Sequence, residues 1–186
     1  PGSMTLELPP YRRPQIGRVI VRSVFDRTLF VLGRAVAVAA PAGLIIWLAA
    51  NISINGANVL SVCAALLDPI GKIMGLDGVI LLAFILGFPA NETVIPIIIM
   101  TYAASGTIGG AGNLSETLAL FLSNGWSTRT AVCFIIFTLM HWPCSTTLLT
   151  IKKETGSLKW TVLAFLLPTA AGVLLCIAAN LIFKLL

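Results

Sequence analysis

The stretch GVILLAFILGFPANETVIPIIIMTYAA, residues 78–104, decides how this chain is read. It is apolar at both ends and is interrupted by Gly87-Phe88-Pro89-Ala90-Asn91-Glu92-Thr93. A helix needs roughly 20 apolar residues to cross a bilayer core, whereas runs of about 10–14 suit re-entrant segments. Each flank falls in the shorter class. Pro89 removes a backbone donor, and Glu92 sets a carboxylate among aliphatics. Backbone freed in this way is tolerated only against protein or a wet cavity.

A second apolar run, residues 130–151, is broken by His141-Trp142-Pro143-Cys144-Ser145. The two breaks align. Phe88-Pro89-Ala90-Asn91-Glu92-Thr93-Val94-Ile95 lies over Trp142-Pro143-Cys144-Ser145-Thr146-Thr147-Leu148-Leu149 as aromatic, proline, small, polar, polar, threonine, aliphatic, aliphatic. Corresponding broken segments are the best sequence pointer to a transport site. The plainer alternative is that proline is common in membrane helices and the match is short.

The rest of the chain agrees with a membrane setting. It is 58% hydrophobic and 10% charged, with a mean hydropathy of +0.99. A soluble domain carries about 25% charged residues, so a soluble enzyme and a disordered tail are both excluded. Residues 35–52 nearly span the core, and Trp160 opens a final helix running to about Phe183. The expected fold is all-α: a polytopic integral membrane helical bundle with broken or re-entrant gate-type helices. Residues 59–67 read as an interfacial or re-entrant piece ending at Asp68-Pro69, Ser105–Ser115 as a glycine-rich flexible loop, 118–122 as a short apolar run, and Lys152–Lys159 as a charged loop.

Three parts are expected along the chain. Residues 1–4, Pro1-Gly2-Ser3-Met4, read as an expression remnant ahead of a start methionine, which makes the chain an excised piece of something larger. Residues 5–34 form a basic amphipathic segment, and 35–186 the gate-type transmembrane domain. Six of the twelve basic residues (Arg12, Arg13, Arg18, Arg22, Arg27, Arg34) precede the first long apolar run. Between 35 and 128 the only basic residue is Lys72. This pattern suits a cytoplasmic flank of membrane helices or a helix lying at the headgroups, and it lacks the broad basic face of a nucleic-acid binder. Cys63, Cys133, Cys144 and Cys176 form no CxxC, which argues against a zinc ribbon or redox pair. No GxxxxGK[ST] occurs, so there is no P-loop.

Chemistry concentrates at the breaks. An acidic residue at mid-membrane costs roughly 2.5–3.5 kcal/mol on insertion scales, so Glu92 should face a cavity, bind a cation or carry a proton. Alternatively the break lies at the interface, and Glu92 caps the following half-helix. His141 and Cys144, three apart, would share a face if the helix continued, but Pro143 makes that uncertain. Imidazole and thiol together suit Fe²⁺, Zn²⁺ or Cu⁺, while each alone is more often a packed residue. Asn91, Ser145, Thr146 and Thr147 offer neutral oxygens. No orienting acid lies nearby in sequence, which argues against a thiol enzyme.

Gly87-Phe88-Pro89-Ala90-Asn91-Glu92-Thr93-Val94-Ile95-Pro96, His141-Trp142-Pro143-Cys144-Ser145-Thr146-Thr147 and Ile151-Lys152-Lys153-Glu154-Thr155-Gly156-Ser157-Leu158-Lys159-Trp160 resemble the C-terminal membrane region of the bacterial ferrous-iron transporter FeoB. Leu8-Pro9-Pro10-Tyr11-Arg12 is similar to the start of that region. The proline–cysteine motif followed by Glu-Thr-Gly-Ser is the specific element. The resemblance implies the second of two gate halves in a multi-pass protein of the bacterial inner membrane, with Fe²⁺ as transported substrate and no bound cofactor. It carries the family's motifs onto Pro143 and Cys144, and onto Gly87, Pro89, Ala90 and Glu92. It implies as partners the first gate half and the GTP-binding domain, whose motifs this chain lacks, so no enzymatic activity is expected of it.

Metal contact is therefore expected at Cys144, Glu92 and His141. Gly87, Pro89, Asn91, Pro143, Ser145 and Thr146 should line the path at the helix breaks. Membrane lipid is the expected surround, a homo-oligomer a further partner, and nucleic acid none. Rival readings are a nucleoside or other small-solute carrier half and a non-transporting membrane scaffold. Topology divides two ways. One full crossing at 78–104 puts the lysine loop outside, whereas a re-entrant hairpin returns it to the cytoplasmic side, as the positive-inside rule prefers.

Overall fold

The computed structural model describes residues 17, 21–22, 24–54, 57–103 and 113–185. The chain divides into two compact units, Pro1–Val36 and Ala37–Leu186. Much of the expected basic amphipathic segment, and residues 1–4, lie outside the described residues. In the first unit Val24–Leu29 winds as a π-helix, with Phe25 and Leu29 exposed.

Helices dominate the rest, as the apolar runs require. They are α1 (Phe30–Asn51), α2 (Val59–Ile73), α3 (Gly78–Leu86), α4 (Val94–Ala103), α5 (Leu114–Ser123), α6 (Thr128–Met140), α7 (Ser145–Thr155) and α8 (Leu158–Leu185). A short 3₁₀ turn, Asn91–Thr93, precedes α4. The uncharged link after α1 holds a two-residue antiparallel ladder pairing Ser53 with Asn58 and Ile54 with Ala57. Among the described residues Val31–Asn51, Thr128–Thr155 and Leu158–Leu185 are long and apolar enough to cross a membrane. The pair α2 and α3, bent by 109°, would supply a fourth crossing.

The core of the second unit is built around α3. Its sequence GVILLAFIL is apolar nearly all round, so it has no face for water and is buried on most sides. Ile80, Ala83 and Phe84 are at most 1% exposed. Against them stand Ile97, Ile98 and Met100 of α4 and Phe137 of α6, the last edge-on to Phe84 at 4.8 Å between ring centroids. The outer helices keep apolar side chains outward, among them Trp47, Leu166 and Leu174. That pattern suits lipid and not water.

Two expectations change. Asp68-Pro69 does not end the piece that begins at residue 59, because α2 continues to Ile73 with Pro69 inside it. A proline removes one amide donor, while Asp68 is satisfied by Lys72 four residues on and by the Gly78 amide at 3.3 Å. The segment Lys152–Lys159 is mostly helical. Its loop is only Gly156-Ser157, where Gly156 takes a left-handed φ of 62° and its amide closes α7 on the Lys152 carbonyl at 3.0 Å. Close approach explains another glycine. A Cβ on Gly78 would lie 1.9 Å from the Ala64 carbonyl oxygen, so α2 and α3 meet backbone to backbone.

The α6–α7 segment runs antiparallel to α8 along its whole length. Cys133 Sγ and Cys176 Sγ each face the other residue's carbonyl, at 3.9 and 3.3 Å. Further along, Gly172 abuts Met140 and Trp142 stacks on Phe165 at 5.6 Å. The two halves thus form one broken span, not two separate elements.

Candidate functional site

Both breaks exist where the sequence places them. The first separates α3 from α4 through the turn Gly87–Pro89 and the 3₁₀ turn at Asn91–Thr93. The second stops α6 at Met140 and restarts at Ser145, leaving His141, Trp142, Pro143 and Cys144 extended or irregular. His141 and Cys144 therefore do not share a helical face, since the helix ends before either. The breaks touch each other. The Ser145 amide, at the first position of α7, donates to the Phe88 carbonyl at 3.0 Å. Phe165 of α8 then bridges them, edge-on to Phe88 at 6.4 Å and stacked on Trp142.

His141 is oriented by its own helix. Its Nδ1 lies 2.8 Å from the Thr138 carbonyl, which can only accept, so Nδ1 carries the proton. In the neutral ring Nε2 then presents a bare lone pair, the arrangement found at ligating histidines. That Nε2 is buried and has no hydrogen-bond partner. The ring is held by Phe84 at 5.0 Å and Trp142 at 6.0 Å.

Cys144 is the N-cap residue of α7 and half-buried. Two hydroxyls, Thr146 Oγ1 and Thr147 Oγ1, each stand 3.1 Å from its sulfur. Glu92 sits in the 3₁₀ turn just before α4 and is exposed. Asn91, Ser145 and Thr146 are half-buried, and Gly87 is buried. Buried side-chain polar atoms without a partner include Asn91 Oδ1, His141 Nε2, Trp142 Nε1 and Ser145 Oγ, all from the two breaks, with Asn180 Oδ1 the remaining one among the described residues. Native interiors rarely leave such groups unpaired, and each asks for an explanation such as a solvated path or an ion.

No three His, Cys, Asp or Glu side chains among the described residues gather into a metal-holding group. Cys144, His141 and Glu92 are thus not a closed three-ligand cluster, and the unpaired atoms near them are mainly neutral oxygens and nitrogens. A polar network that the sequence reading passed over lies elsewhere, at the α2–α3 turn. Asp77 caps α3 by accepting from the Ile80 amide at 2.7 Å and also accepts from the Tyr102 hydroxyl. That hydroxyl in turn accepts from Trp126 Nε1 at 2.9 Å. Asn180 donates to the Lys72 and Ile73 carbonyls at 3.2 and 2.8 Å. Only Asp77 was foreseeable locally, as a helix-capping residue before an apolar run.

The family model for Gate, described as nucleoside recognition, matches residues 32–158 and so takes in both breaks. The chain belongs to the Gate family. Within curated proteins its Gate region is similar to the "Fe(2+) transporter FeoB" of Staphylococcus aureus, 30% identical over 91% of this chain and 25% of that protein. The "Fe(2+) transporter FeoB" of Methanocaldococcus jannaschii is 26% identical over 98% of this chain and 28% of that protein. That of Campylobacter jejuni is 25% identical over 87% of the chain. The Gate chain therefore spans about a quarter of the length of the curated relatives it matches. No solved structure matches it significantly.

Proposed function

We propose that this Gate chain forms half of the ion path of a ferrous-iron importer in the bacterial inner membrane. The observation that carries the reading is the joining of the two breaks. Ser145 N–H bonds Phe88 O, and four unpartnered buried polar atoms belong to the same two breaks. Fe²⁺ is the substrate, and no resident cofactor takes part. Cys144 Sγ and His141 Nε2 supply the soft and borderline ligands, and Asn91 Oδ1 and Ser145 Oγ supply neutral ones. Glu92, exposed beside the first break, draws the cation in. An open set of mixed donors suits a cargo that must leave again. The expected partners of this chain are a GTP-binding region and a first gate half, and this half itself catalyses no reaction.

Radioactive ⁵⁵Fe²⁺ uptake by cells expressing a full-length FeoB that carries this region tests the proposal. Cys144→Ser and Glu92→Gln should each lower uptake at unchanged membrane abundance. Undiminished uptake in both variants overturns the ion-path assignment. The family description favours a second reading, a nucleoside carrier half. Competition of uptake by unlabelled nucleosides, with no response to Cys144→Ser, would favour that reading.

A further inference from the structure

Away from the breaks, a cavity of about 370 Å³ opens where α2, α6 and α8 end together. Three cations from three helices reach it: Lys72 of α2, Arg129 of α6 and Lys184 of α8. Two positive-φ glycines, Gly75 and Gly125, form part of its wall; the space a Cβ would take is open at Gly125 and filled by Cys133 and Asn180 at Gly75. Asn124, which also donates to the Leu120 carbonyl, and Thr130, paired with Ser127, add neutral polar groups. Asp77 also lines it, but both its oxygens are engaged, one by the Ile80 amide and one by the Tyr102 hydroxyl. Lys72 is held by Asp68. Neither Arg129 nor Lys184 is held in an ion pair among the described residues.

The uncompensated charge in this cavity is therefore positive, and it comes from residues 55 positions apart that gain nothing from meeting each other. Asp77 offsets one of these charges, and the net positive charge that Arg129 and Lys184 leave fits an anion between them. The first turn of α6 adds the positive end of its dipole, its Thr130 amide being capped by Ser127 Oγ, while α2 and α8 reach the cavity with their C-terminal ends. Depth narrows the choice of anion. Thr128 opens and Leu185 closes two of the apolar spans, so the cavity lies where a spanning helix leaves the hydrocarbon and meets headgroups. Basic pockets between spanning helices at this depth are suited to phosphate headgroups.

We infer that the cavity bounded by Lys72, Arg129 and Lys184 binds an anionic phosphate group, that of a lipid headgroup, at the membrane surface. The site is separate from the ion path and does not depend on the cargo being iron. Arg129 grips the phosphate oxygens as a fork, and Lys184 supplies a point charge from the facing helix.

The test uses the purified chain in neutral detergent, titrated in parallel with phosphatidylglycerol, phosphatidylcholine and inorganic phosphate, and read by thermal unfolding and native mass spectrometry. Wild type should be stabilised by phosphatidylglycerol and should retain it in the gas phase, with little response to phosphatidylcholine. The double variant Arg129→Gln/Lys184→Gln should need about tenfold more phosphatidylglycerol for half the effect. The charge-keeping variant Arg129→Lys/Lys184→Arg should fall between, which separates lost binding from lost folding. Lys152→Gln/Lys153→Gln, with the same charge removed at the other end of α8, should behave as wild type. Saturation by inorganic phosphate at equal concentration, lost in the same double variant, would keep the phosphate site but assign it a soluble ligand. Equal loss in both double variants, or no lipid dependence in wild type, overturns the site.

Discussion

The Ser145 amide and the Phe88 carbonyl, 57 residues apart, are joined by a 3.0 Å hydrogen bond that ties one broken helix to the other. Each partner is available only because its own helix is interrupted. Phe88 sits in the turn after α3, so its carbonyl has left the helical ladder. Ser145 is the first residue of α7, whose amide has no intrahelical acceptor. Each break leaves one backbone group that the other satisfies.

That bond can be removed with little else disturbed. Proline is tolerated at the first helical position, and the residue before it must be extended. Cys144, at φ −61° and ψ 159°, already is. Ser145→Pro should therefore lower stability by about 1 kcal/mol relative to Ser145→Ala. The difference should be visible as a lower midpoint in detergent thermal melts. Equal midpoints for the two variants would mean that the contact between the breaks contributes nothing.

His141 separates packing from transport. Its ring is wrapped by Phe84, Phe137 and Trp142, and its Nε2 is buried without a partner. Removing the unpaired Nε2 relieves a buried polar atom. His141→Phe does this but also deletes the Nδ1–H bond to the Thr138 carbonyl, so it should cost about 1 kcal/mol while iron uptake by the full-length carrier falls. A stable variant with full uptake would remove His141 from the ion path.

The breaks and the membrane class were legible in the sequence because each rests on local chemistry. Pro89 and Pro143 cannot continue a ladder, and the polar residues beside them stand out against aliphatics. Pro69 has the same chemistry but a different outcome. Its neighbour Asp68 finds Lys72 and the Gly78 amide, and the helix passes through. Partners remote in sequence were not legible at all. Asn180 caps the end of α2 from more than a hundred residues away, and the Asp77–Tyr102–Trp126 chain draws on three separate elements. The paired breaks could be aligned by eye, yet nothing local announced that they would meet through Phe88 and Ser145.

The contact of α2 with α3 sets a steric test. Any side chain at Gly78 drives its Cβ to 1.9 Å from the Ala64 carbonyl oxygen, and backbone cannot swing away as a flexible side chain can. Gly78→Ala should cost at least about 2 kcal/mol as overpacking. Gly43, inside α1 with nothing within 4 Å of a Cβ, is the control. There Gly→Ala should be neutral or stabilising by up to about 1 kcal/mol. Thermal melts of the two variants should move apart, and a harmless Gly78→Ala would contradict the close approach.

Tyr102 links Asp77 of the α3 cap to Trp126 ahead of α6. Tyr102→Phe keeps the ring against Phe121 but deletes both hydrogen bonds, one of them to a carboxylate. A hydrogen bond to a charged group contributes about 1.5–3 kcal/mol, so the variant should be destabilised by about 2 kcal/mol. Trp126 fluorescence should also shift, because its indole N–H loses its acceptor. No change in either readout would mean that the chain of three is not formed.

Topology gives the last prediction. The α6–α7 span and α8 lie antiparallel, with Cys133 beside Cys176 and Trp142 beside Phe165. Their joining turn, Gly156-Ser157, is thus at one membrane face, and Ser123, just before α6, is at the other. At about 1.5 Å per residue, α8 alone is long enough to cross with some tilt. On a background lacking the four native cysteines, single cysteines at Ser157 and Ser123 should therefore react from opposite sides with an impermeant maleimide. The positive-inside rule, counted over the short turn that carries Lys152, Lys153 and Lys159, favours Ser157 in the cytoplasm, with Lys72, Arg129 and Lys184 standing at the other face. In intact cells Ser123→Cys should label and Ser157→Cys should label only after permeabilisation. The reverse pattern would place the lysine turn outside, against the charge rule. Labelling of both from one side would break the antiparallel arrangement itself, and with it the single broken span on which the ion path rests.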